Sequence, residues 1–142
     1  MAANTSPIFT LTPQSWFSDA LIVTANTTAD LTSGTIYLLA TAGASGARFD
    51  RLFMQPLGNA AQNNVATVLR LWLNNGGVTT TAANNRFFLD ATLAATTGSI
   101  TASVPAVIIE LNLSVAATYR LYATLGTTVA TGYHGVVAGG DY

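Results

Sequence analysis

Residues 65–74, VATVLRLWLN, decide the fold class because their side chains alternate strictly. Val65, Thr67, Leu69, Leu71 and Leu73 fall on one side of an extended chain. Ala66, Val68, Arg70, Trp72 and Asn74 fall on the other. Asn74-Asn75-Gly76-Gly77 follows, a run that tolerates positive φ, so a tight reversal is expected there.

The same alternation recurs on both sides of this stretch. Strands are expected over residues 8–12 (IFTLT, fenced by Pro7 and Pro13), 16–24, 35–41 and 48–55. After the reversal, residues 86–93 (RFFLDATL) place Phe87, Leu89, Ala91 and Leu93 on one face. Residues 107–113 turn Val107, Ile109, Leu111 and Leu113 inward, with Ile108, Glu110 and Asn112 outward. Residues 118–125 set Tyr119, Leu121, Ala123 and Leu125 against Arg120, Tyr122 and Thr124, and residues 133–138 form a last strand. Helical periodicity is missing; the alanine-rich residues 89–95 are cut short by Thr96, Thr97 and Gly98. The expectation is one all-β domain over residues 1–142, an antiparallel β-sandwich or jelly roll of roughly eight strands. Residues 1–7 read as an extended N-terminal arm and 139–142 as a short C-terminal tail.

Composition narrows the function. Only 8% of the 142 residues are charged, against about 25% in an average soluble domain. Lysine is absent, cysteine is absent, and the five basic residues are arginines. Without thiols there are no disulfides, thiolate metal sites or cysteine nucleophiles. A net charge of −1 with scattered arginines supplies no basic stripe for nucleic acid. Mean hydropathy is +0.42, yet Thr, Asn, Gly or Pro cuts every apolar run before it could span a membrane. The first basic residue is Arg48, so no secretory signal pattern opens the chain and none is expected.

Residues that could carry chemistry are few. His134 is the one histidine, and no Gly-x-Ser-x-Gly elbow accompanies it, so it is expected to be structural or solvent-facing. The six acids are dispersed, with no Asp-x-Asp spacing, and no phosphate-cradling glycine pattern occurs. No catalytic, cofactor or metal site is expected, and the chain is not expected to be an enzyme. Interface residues are the better candidates. Arg48, Asp50 and Arg51 cluster on one strand, and Arg70 and Trp72 lie opposite a leucine row, where Trp and Arg commonly anchor contacts. Sheet edges are usually guarded by charge, and this chain has little. A homo-oligomer, trimer first, is therefore expected. Ala2, Asn4, Thr5 and Ser6 are the candidate contacts of the arm.

Three stretches, MAANTSPIFTLTP at the start, NNVATVLRLWLNNGG in the middle and GVVAGGDY at the end, resemble small structural proteins of tailed-bacteriophage virions. The resemblance implies a capsid decoration (cement) protein, a β-sandwich or jelly roll that binds the shell, often as trimers. Its partner would be the major capsid protein or another virion protein. Such a chain is made in the host cytoplasm and ends in the virion. A tail or collar component, or a carbohydrate- or receptor-binding β module, is the alternative.

Overall fold

A computed structural model describes residues 10–57 and 63–142. Ten strands follow in order: β1 (Thr12–Phe17), β2 (Tyr37–Thr41), β3 (Ala47–Pro56), β4 (Asn63–Asn64), β5 (Thr67–Asn74), β6 (Asn85–Leu93), β7 (Thr96–Thr97), β8 (Val107–Val115), β9 (Arg120–Leu125) and β10 (Tyr133–Asp141). One 3₁₀ turn, Ala82–Asn84, precedes β6, and there is no α-helix among the described residues. Nor is any described helix long and apolar enough to cross a membrane.

Eight strands build two four-stranded antiparallel sheets, so the fold is an all-β sandwich. The front sheet runs β1-β10-β3-β8 and the back sheet β2-β9-β5-β6; β4 and β7 form a small separate ribbon. The chain crosses between sheets repeatedly, so each sheet interleaves strands from both ends of the sequence. The inward residues make one core. Phe49, Leu52, Met54, Leu69, Leu71, Leu121, Ala123, Leu125 and Val137 are fully buried, and Trp16 packs edge-on against Phe49 at 5.1 Å.

Alternation assigns most of these faces correctly. Thr67, Leu69 and Leu71 are buried, while Ile108, Glu110 and Asn112 point out. Val65 lies before β5 and is exposed. β9 departs from simple alternation, because Tyr122 and Thr124 on its outward side are buried too. Trp72 covers them and donates its indole N–H to the Thr124 hydroxyl at 3.2 Å.

Four local expectations need correction. The strand expected over residues 8–12 falls partly outside the described residues; the described strand begins at Thr12 and contains Pro13. Proline is tolerated there because β1 is an edge strand, where one side of the backbone needs no ladder partner. No strand covers residues 18–24. That segment opens a long connection organised by buried Asn26, whose Nδ2 donates to the carbonyls of Asp30, Ser33 and Thr35 while Oδ1 accepts from the Thr28 and Ala29 amides. In β6 a bulge opposite Leu71/Trp72 inserts one residue, so Phe88 packs on the core and Phe87 swings outward. Finally, residues 139–141 are not a tail: β10 continues through them, paired with β1 and β3.

Candidate interaction surfaces

The expected interface residues separate onto the two outer faces of the sandwich. Arg48, Asp50 and Arg51 belong to β3 in the front sheet, whereas Arg70 and Trp72 belong to β5 in the back sheet. Ala2, Asn4, Thr5 and Ser6 lie outside the described residues.

On the front face the register lines up an apolar row across all four strands: Phe17, Val136, Phe53 and Ile108. Its two ends are open, with Phe17 71% and Ile108 55% exposed. The neighbouring row is Ser15, Ala138, Arg51 and Glu110, and beyond the bulge at Asp50 comes Pro13, Gly140, Arg48 and Ser114. Every arginine and acid of these rows is paired within the chain. Arg48 Nε reaches Asp50 at 2.6 Å, and Arg51 Nε reaches the Glu110 carboxylate at 2.9 Å. The Asp50 hydrogen bond, then its charge, hold the Arg48 guanidinium further above its ordinary pKa. Such exposed pairs contribute little to stability, but they leave the face neutral.

The back face carries a second row, Leu38, Tyr122, Trp72 and Phe87. Trp72 and Phe87 meet edge-on at 5.2 Å, an arrangement the bulge at Phe88 makes possible. On this side the charges are unpaired. Arg70 and Asp90 are cross-strand neighbours in the next row, and Arg120 flanks the aromatic row on its other side. Among the described residues these three side chains make no ion pair or hydrogen bond, and all three sit on this one face. Exposed Phe87 and partly exposed Trp72, beside arginine and carboxylate that are free among the described residues, have the anatomy of an anchoring patch. Arg70 and Trp72 are legible from alternation. So is the outward side of Tyr122; Phe87 is not, because its placement depends on the bulge.

His134 lies exposed on the front face across from Gln55, and its ring makes no hydrogen bond among the described residues. No three His, Asp or Glu side chains converge among them either. A cavity of about 290 Å³ opens at one end of the sandwich, lined by Pro56, Leu93, Val104, Val107, Thr96 and Tyr133 among others. Among the described residues the buried hydroxyls of Tyr133 and Thr96 have no hydrogen-bond partner. Burial raises the Tyr133 pKa above its ordinary value, and the nearby Asn64 amide offsets part of that rise.

Comparison of the chain with protein-family models, with curated proteins and with solved structures finds no match in any of the three.

Proposed function

We propose that this chain is a non-enzymatic virion structural protein, a capsid decoration protein of a tailed bacteriophage that binds the shell through its back face. The observation that carries the proposal is the outward pair of Trp72 and Phe87, flanked by Arg70, Asp90 and Arg120, which are unpaired among the described residues. The strand order, 1-10-3-8 against 2-9-5-6, is one we read as a jelly-roll winding, an architecture common in capsid proteins. A chain with 8% charge and apolar rows on both outer faces is suited to being covered by neighbours. The resemblance of its three stretches to phage virion proteins supplies the partner class.

The test is co-sedimentation of purified protein with phage shells that lack their decoration protein. Wild type should pellet with the shells, and Trp72→Ala should bind at least roughly tenfold more weakly, as truncating an interface anchor does. Equal binding by Trp72→Ala, or none by wild type, would sink the proposal. The same patch also supports a second reading, a sugar-binding module of a tail, since it joins aromatics to a carboxylate and arginines. Glycan-array binding lost in Trp72→Ala would favour that reading over the shell.

A further inference from the structure

We propose that the outer face of the front sheet is a two-fold interface with a second copy of this chain. The face is apolar along one row, with Phe17, Val136, Phe53 and Ile108 in register across four strands. It is neutral in the adjoining rows, because Arg48–Asp50 and Arg51–Glu110 are already paired. A partner therefore needs apolar bulk and no compensating charge. A second copy offers both.

The register also supplies the shape. A two-fold axis parallel to the strands, midway between β10 and β3, exchanges β10 with β3 and β1 with β8. Each row then meets itself reversed. In the apolar row Val136 faces Phe53 of the second copy, and Phe17 faces Ile108. In the next row Arg51 faces Ala138 and Glu110 faces Ser15, so each large charged side chain lies over a small neutral one. Further along, Arg48 faces Gly140, which the Thr10 side chain covers, and Ser114 faces Pro13. Arg51 and Arg48 of both copies flank the axis, each carrying its own carboxylate, Glu110 or Asp50, so no unpaired like charges are brought together. Packed sheets cross at roughly 30°, so the match is tightest at the centre, on Val136, Phe53, Ala138 and Arg51.

The area is sufficient for a reversible pair. Four strands about 4.8 Å apart and about eight residues long at about 3.4 Å give a face of roughly 500 Å². The two faces together bury about 1,000 Å², the lower bound for a specific interface, which corresponds to a dimer that dissociates on dilution. A three-fold ring joins unlike surfaces and would leave this self-complementarity unused. The inference does not rest on the virion role, since it concerns the purified chain alone.

Sedimentation velocity from about 1 to about 200 μM, the range in which so small an interface would dissociate, tests it. Wild type should pass from monomer to a species of twice 14.7 kDa. Val136→Arg adds two cations without carboxylate partners beside the axis and should weaken the dimer at least about tenfold. Thr92→Arg, an equal charge change on the outward side of β6, should leave it unaltered. Ile108→Lys, at the open end of the row, gives the same expected loss should Val136→Arg fail to fold. A wild type monomeric throughout, a trimeric mass, a folded Val136→Arg that still dimerises, or Thr92→Arg dissociating as readily would each overturn the proposal.

Discussion

At the residue scale, Tyr133 shows how a buried polar atom reports on stability. The side chain is 1% exposed, and among the described residues its hydroxyl makes no hydrogen bond, while Asn64 beside it already donates to the Gly132 carbonyl and accepts from Thr131 and Gly132. With no protein partner to lose among the described residues, removing the hydroxyl should cost little. Tyr133→Phe should stay within about 1 kcal/mol of wild type in urea denaturation. The pH response follows from the same burial. Because the folded-state pKa is raised, the unfolded chain releases this proton first as the solution becomes alkaline. Stability from this group is complete below about pH 10 and falls as pH rises past it, toward the raised folded value. Tyr133→Phe should therefore lose less stability than wild type across that interval. A loss above about 2 kcal/mol at neutral pH would mean that the hydroxyl is bonded after all. Nothing in the sequence marks this tyrosine, since GYHGVV reads as an ordinary strand; only the packing of β10 against the Asn64 turn singles it out.

At the element scale, what is legible in the sequence and what is not divides along the period of the strand. Side chains repeat every two residues, so β5 and β8 can be oriented from their own letters. A bulge adds one residue, flips everything beyond it, and leaves no signature in composition. That is why alternation alone puts Phe87 on the core side. It is also why the front-face row, which needs the register of four strands at once, cannot be read from any one segment. The end of β10 is a related case. Gly139 and Gly140 read as a loose tail because glycine is rare in strands, but in β10 they serve close approach. A Cβ on Gly139 would run into the backbone carbonyl of Arg48, next to the bulge at Asp50. Gly139→Ala should cost about 3 kcal/mol or prevent folding, since backbone cannot give way as a rotamer can. Gly135→Ala, whose Cβ meets the flexible ends of Leu39, Ile22 and Met54, should cost under about 1.5 kcal/mol. Urea denaturation of the two variants decides it; equal losses would show that β10 accommodates a side chain at the bulge.

At the scale of the whole molecule, scarce charge is distributed unequally, and the two faces should respond differently to salt. Among the described residues the arginines and acids of the front face satisfy each other, so joining two such faces neither makes nor breaks an ion pair. The back face holds Arg70, Asp90 and Arg120 without partners among the described residues, so a ligand there gains by supplying opposite charges. Screening shortens the reach of exposed charges from about 10 Å at 0.1 M to about 3 Å at 1 M ionic strength. Self-association should then change by less than about threefold across that range, or strengthen slightly, because apolar burial is indifferent to screening. Attachment through the back face should weaken by roughly five- to tenfold, the effect of screening a few surface contacts each worth under about 1 kcal/mol. Arg70→Gln should remove much of that salt dependence while leaving self-association as it was. Sedimentation velocity and shell co-sedimentation in the same salt series measure both quantities. If self-association falls steeply with salt while shell binding stays flat, the front face is the one that meets the shell and the back face the one that pairs.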